Sequence, residues 1–225
     1  MLHRLFRLPA LALVLLATAC TEPPKTAATL PILGERDVRP RPDGGPADTV
    51  FATVPAFRLV DQAGQVVTNQ TFAGRAYVTD FFFATCPGIC PKMQGELLKV
   101  FNKYPTDPRI AFLSVTIDPE HDSTAVLRDY AERLGVKDAA RWHFASLGDR
   151  AKSFDLANRL LTGAMPDSLA PGGLAHSGTL ALVDDRGHIR GAYDGLNAAQ
   201  VEALQRDIPI LLAEIATRNK AVARQ

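Results

Sequence analysis

The residues with the most chemistry in this sequence are Cys86 and Cys90, separated by Pro-Gly-Ile in the run Thr85-Cys-Pro-Gly-Ile-Cys-Pro91. A dense β-branched and aromatic run at 76–83 precedes them. Met93, Leu97, Phe101 and Tyr104 follow at helical spacing, so the pair stands where a buried strand hands over to a helix. Cysteines four apart at a helix start share a face, close enough to form a disulfide or to share a soft metal ion. The unpaired N–H groups and positive dipole end of a helix N-terminus favour thiolate over thiol, and thiolate is the form that attacks disulfides and ligates metal. A structural disulfide in an exported protein is the plain alternative. A ring this small, however, removes little chain entropy and ties no distant segments together, so the pair reads as functional.

Two thiolates leave most metals short of donors, which turns attention to the histidines. His3 lies in the leader, His121 follows Asp118-Pro119-Glu120, His143 sits beside Trp142 in a strand-like run, and His188 lies at a hairpin. His176 stands in Gly172-Gly-Leu-Ala-His-Ser-Gly178, a stretch that reads as a flexible loop entering that hairpin. Taken alone, each is more often a surface or satisfied core histidine. Two sulfurs and an imidazole suit copper, with Cu(I) favoured by the thiolates and Cu(II) accessible through the nitrogen. Zinc would want a fourth ligand, and neither paired cysteine doublets nor spaced histidine pairs are present.

The elements that must position these residues alternate in period. Short strand-like runs at 57–60 and 65–68 flank Gly64 as a hairpin, and 76–83 and 109–117 read as strands buried on both faces. Helices are expected from about Cys90 to Tyr104, over 123–134 with Asp122 or Ser123 as cap, over 149–161 and over 201–217. A strand at 142–146 and a hairpin of 180–183 with 188–193 complete the order. The pattern predicts an α/β sandwich: a mixed sheet with parallel middle strands and a closing antiparallel hairpin, flanked by helices, with an extra N-terminal hairpin.

The chain's 225 residues hold 25 Lys plus Arg, 24 Asp plus Glu and 47% hydrophobic residues, which excludes wholesale disorder and the basic balance of a nucleic-acid binder. Arg4 and Arg7 lead an apolar run at 8–19, the layout of a secretory signal and too short for a comfortable membrane span. Ala17-Thr-Ala-Cys20 resembles the lipobox of bacterial lipoproteins, with Ala17 in place of the usual Leu, and implies lipidation of Cys20. Removing residues 1–19 takes away two positive charges and no acid, turning a net charge of +1 into −1. The expected organisation is a signal at 1–19, a Pro-rich tether at 20–49, one domain at 50–219 and a tail at 220–225. That places the domain outside the cytoplasm, facing the periplasm or another extracytoplasmic space, and held to a membrane by an N-terminal lipid.

Phe81 to Pro91, then Ser114-Val-Thr-Ile-Asp-Pro-Glu-His-Asp122, then Ala175-His-Ser177 ahead of the hairpin together resemble the Sco/SenC family. The resemblance spans about 50–217 and implies a thioredoxin-like fold and a membrane-tethered copper-binding assembly factor for cytochrome c oxidase. It implies that Cys86, Cys90 and His176 bind one copper per chain, as Cu(I) or Cu(II), that the two cysteines can cycle through a disulfide, and that Asp118 lies beside the site. The implied partners are the copper-site subunit of the oxidase and an upstream copper donor or thiol reductant, with no nucleic acid. His121 stands where the family is expected to carry a basic residue, commonly Arg. A metal-independent thiol-disulfide oxidoreductase acting on extracytoplasmic proteins would need Cys86 and Cys90 but not His176.

Overall fold

We describe residues 28–223 of a computed structural model of the protein. In chain order they form β1 (Arg36–Arg39), β2 (Asp48–Phe51), β3 (Arg58–Asp61), β4 (Val66–Thr68), β5 (Ala76–Phe82), α1 (Ile89–Phe101), β6 (Ile110–Thr116), α2 (Thr124–Leu134) and β7 (Trp142–Ser146). There follow α3 (Arg150–Arg159), β8 (Ala164–Pro166), β9 (Leu174–His176), β10 (Thr179–Val183), β11 (Ile189–Asp194) and α4 (Ala198–Val222).

Strands β5 and β6 are buried at every position, the consequence of runs with no solvent face, and they pair in parallel from Ala76↔Ile110 to Phe82↔Thr116. β7 continues the parallel set on the far side of β6. Antiparallel strands close both flanks: β10 and β11 beyond β5, β3 and β4 beyond β7, giving the order β11-β10-β5-β6-β7-β3-β4. The core fills with Phe82, Phe112, Trp142 and Phe144 on the sheet, and with Met93, Leu97, Leu127, Leu204, Ile208 and Leu211 from the helices. At about 25 cal/mol per Å² of apolar surface, burial of this kind is the main stabilising term.

Polar caps set the helix starts. Ser123 accepts from the Val126 N–H and Asp149 from the Lys152 N–H, while Asn197 accepts from Ala199 and Gln200. α4 therefore begins a turn before the first strongly apolar position and runs on past residue 217, longer than its apolar spacing alone indicates. α1 stops at Phe101, short of Tyr104, because residues 102–105 turn back toward β6.

Two hairpins were not legible from hydropathy. β1 and β2 pair at 36–51, within the stretch that composition reads as tether, and β8 pairs with β9 in the stretch read as a flexible loop. All four strands have three or four residues, and β1 and β2 expose nearly every side chain, so no buried face marks them in the pattern.

Candidate metal centre

Past Phe82 the chain leaves the sheet edge and must turn into α1. Asp122 holds that exit: its Oδ2 accepts from the Ala84 N–H at 3.0 Å and from the Thr116 hydroxyl. The Cys86 N–H then donates back to the Phe83 carbonyl at 3.2 Å, which closes a tight turn. The N-cap of α1 is Gly88, whose lack of a side chain leaves the first turn uncapped. The Gly88 and Cys90 N–H groups of that uncapped turn favour the charged form of the Cys86 sulfur.

The pair is therefore asymmetric. Cys86 is half-buried at the surface and Cys90 is 1% exposed beneath it. The Cys90 thiol donates to Cys86 and does most to hold the Cys86 thiol far below its ordinary pKa, at about 4; His176 and the two backbone N–H groups add to this against a partial desolvation penalty. The same hydrogen bond, together with burial, drives Cys90 strongly upward, so in the reduced protein one proton stays on the inner sulfur.

β8 and β9 deliver the third donor. Ala164↔His176 register places the imidazole at the end of β9, with Nε2 2.8 Å from the Cys90 Sγ. Nδ1 lies 3.0 Å from the Ser177 carbonyl and donates to it, which aims Nε2 at the sulfurs. Phe83 meets the ring edge-on at 6.0 Å, and Gly172 packs so close to Phe83 that a Cβ there would lie 3.3 Å from it. His176 thus sits in a paired strand, which corrects its reading as part of a flexible loop. The ligand atoms of Cys86, Cys90 and His176 all lie within 4.8 Å of one another, and among the described residues no other group of three or more His, Cys, Asp or Glu converges this way. A cavity of about 210 Å³ lined by Phe83, Pro87, Ile89 and Leu174 opens onto Cys86 and His176. A larger cavity, about 540 Å³, runs along α4 beside Ala28 and Thr29 and contains no thiol or imidazole, so volume does not mark the site.

Behind the sulfurs lies a polar network that sequence pattern did not single out. Asp80, fully buried on β5, accepts from Ser114 Oγ and from Gln94 Nε2, both at 2.5 Å, and Trp142 Nε1 donates to the same Ser114 Oγ at 2.9 Å. Burial pushes the Asp80 carboxyl up to about 7 despite those hydrogen bonds and the nearby His176. Gln94 follows Cys90 by one helical turn, so this network sets the register of α1 on the sheet. The available signal was a lone acid inside the apolar run at 76–83.

Asp118, implied by the resemblance to lie near the site, accepts from its own neighbours: Oδ2 lies 2.8 Å from His121 Nδ1, and Arg150 donates to Oδ1 at 2.6 Å and to Glu120 at 2.9 Å. The acid that touches the cysteine turn is Asp122, four residues on. His143 is buried against Asp61 at 2.9 Å, and His188 lies beside Asp184. Cys20 lies outside the described residues.

A family model described as SCO1/SenC matches residues 46–209. A Stutzerimonas stutzeri protein whose name proposes copper binding is 29% identical over 206 residues, covering 89% of this chain and 94% of its own length. Among solved structures, a SCO1/SenC family lipoprotein from Bacillus anthracis superposes with a TM-score of 0.64 at 20% identity, over 71% of this chain and 94% of that one. Arabidopsis thaliana ScoI, solved with copper bound, gives 0.58 at 19% identity, over 74% and 99%. These likenesses establish the fold, which is thioredoxin-like as the motif resemblance implied.

Proposed function

The chain belongs to the SCO1/SenC family, and we propose that it carries one copper ion on Cys86, Cys90 and His176 and delivers it to the dinuclear copper site of cytochrome c oxidase during assembly. The observation that carries this reading is the convergence of two sulfurs and one oriented imidazole nitrogen within 4.8 Å. Two thiolates favour Cu(I), and the imidazole keeps Cu(II) accessible. The cargo is held by three donors at one end of a sheet, beside an open apolar cavity, so a partner bringing further sulfur or nitrogen donors can take the ion by ligand exchange. We place the domain on the extracytoplasmic side, anchored through a lipid on Cys20, with a copper donor or thiol reductant upstream.

A second reading rests on the asymmetry of the cysteines. A half-exposed thiolate over a buried thiol is the arrangement of a disulfide reductant. Cys86 would attack a partner disulfide and release one partner sulfur as thiolate. Cys90 would then pass its proton to that leaving group and displace the second partner sulfur, ending as a Cys86–Cys90 disulfide. The electrons in this exchange come from the two cysteines alone.

The test is anaerobic titration of the reduced protein with Cu(I) and Cu(II), beside Cys86→Ser, Cys90→Ser and His176→Ala, together with oxidase activity in cells lacking the native protein. Stoichiometric copper, a sulfur-to-Cu(II) charge-transfer band and restored oxidase, all lost in each variant, are the expected results. A His176→Ala protein that restores the oxidase without binding copper would replace copper delivery with thiol exchange.

A further inference from the structure

Residues 30–33 do not hang free of the domain. Leu30 and Leu33 pack against the core, and the Leu33 N–H donates to the Ile189 carbonyl at 2.8 Å, bridging the first residue of β11. Arg190, 3% exposed, clamps the strap: Nε donates to the Pro31 carbonyl at 3.0 Å and Nη2 to the Leu30 carbonyl. The guanidinium is itself held by Asp184 at 3.2 Å and by both Glu214 oxygens at 2.8 and 2.9 Å, and the Leu30 N–H reaches Glu214 at 3.4 Å. A buried arginine with two carboxylates and two main-chain carbonyls is a firm attachment.

Its place in the sheet matters. Ile189 pairs with Val183 at the end of β10, and Val183 pairs with Tyr77 at the start of β5. The cysteines follow the other end of β5, and His176 lies just ahead of Thr179, which pairs with Asp194 at the far end of β11. The strap and the Cys86–Cys90–His176 site therefore occupy opposite poles, separated by the full strand length of about 20 Å.

We propose that the strap makes the Arg190 pole the membrane-facing surface of the domain and turns the copper site away from the bilayer. The proposal rests on the lipid-anchor reading of Cys20. From Cys20 to Leu30 is ten residues, a length of chain that reaches no more than about 35 Å when fully extended. A link attached at the Arg190 pole meets the domain a full strand length away from the copper site. The site thus faces a partner whose own copper site stands above the membrane, and meeting one at the headgroups would need the whole domain to tip over on its link.

Two measurements on the full chain test this. In hydrogen exchange, residues 30–33 of the native protein are expected to be protected like β11, and Glu214→Gln is expected to raise their exchange about tenfold while β5 and β6 are unchanged. In phosphatidylcholine vesicles carrying the lipidated, Cu(II)-loaded chain, phosphorus NMR is expected to show headgroup relaxation unaltered by the paramagnetic ion, and enhanced once Leu33→Pro removes the strand bridge. Residues 30–33 exchanging like free chain in the native protein would overturn the strap. Headgroup relaxation enhanced by Cu(II) in the native protein would overturn the orientation. A chain that vesicles fail to retain would refute the anchor and with it the orientation, while hydrogen exchange would still decide the strap.

Discussion

Asp80→Asn is the substitution that best separates the electrostatics of the site from its fold. Asp80 is fully buried, and burial raises its carboxyl from the usual range to about 7. A raised carboxyl reverses the usual sign. Between the unfolded value near 4 and the folded value near 7, the native state binds a proton that the unfolded state has released, so stability falls as pH rises through that window. At about 1.4 kcal/mol per pH unit, going from pH 5 to pH 8 costs the native protein about 2–3 kcal/mol through this group. Asn keeps the shape, still accepts from Ser114, and can donate to Gln94 Oε1, which has no partner in the native network. Urea unfolding of both proteins across that range, under reducing conditions, is the assay, and taking the difference between variants cancels every group common to both. Asp80→Asn should be close to the native protein at pH 5 and gain about 2–3 kcal/mol on it by pH 8. Parallel curves, or an Asn variant that falls behind as pH rises, would show that the carboxylate is charged and compensated in the fold, and the account of the network would fail.

Alkylation of the reduced protein by iodoacetamide should stay fast down to about pH 5, because the Cys86 thiol titrates near 4. Cys90→Ala, which removes the principal donor to that sulfur, should move the midpoint of the rate profile upward by more than His176→Ala does. His143→Ala should cost about 2–4 kcal/mol in denaturant unfolding, since it opens a cavity and leaves buried Asp61 without its imidazole partner. Copper stoichiometry should be unchanged in that variant, as the β3–β7 contact lies off the metal centre. Gly195→Ala should lower Tm and weaken copper binding together. Its Cβ would lie 2.9 Å from the Gly178 carbonyl and 3.0 Å from Met93 Cγ, wedging the chain just after His176 away from α1. Differential scanning calorimetry and competition with a copper chelator would check the pair of effects.

What was legible in the sequence follows from where burial writes a pattern. β5, β6 and β7 carry runs apolar on both faces, and α1 and α2 carry an apolar stripe, so their order and the parallel centre of the sheet could be read directly. The cysteine pair was legible for the same reason, since a strand-to-helix junction frames it. His176 was not placed by pattern. Its strand has three residues, pairs with an equally short partner, and contains no alternation long enough to register. The strap at 30–33 was hidden by composition, because prolines and charges around it read as linker while two leucines and a distant arginine hold it to the fold. Asp118 was named through the family resemblance, and Asp122 was read only as a possible helix cap. Only the geometry shows that Asp122 bonds the cysteine turn while Asp118 binds His121 and Arg150.

The three donors come from two chain segments that meet only because β10 lies antiparallel against β5. The cysteines hang from the end of β5 and are locked by Asp122 from the β6–α2 loop, whereas the histidine leads into β10 and is braced by Phe83. One ligand can therefore move without the other two, provided the β8–β9 hairpin shifts. The inner sulfur and the imidazole touch at 2.8 Å, while Cys86 stands at the mouth, half-exposed with its charge already in place. If the ion is handed on as proposed, an incoming donor would meet Cys86 first, and the Cys86, Cys90 and His176 bonds would be exchanged in turn, with the proton that Cys90 lost on loading returned to it as the ion leaves. In both proposed readings, copper transfer and thiol exchange would begin at the same atom, and it is the histidine, which only the metal needs, that divides them.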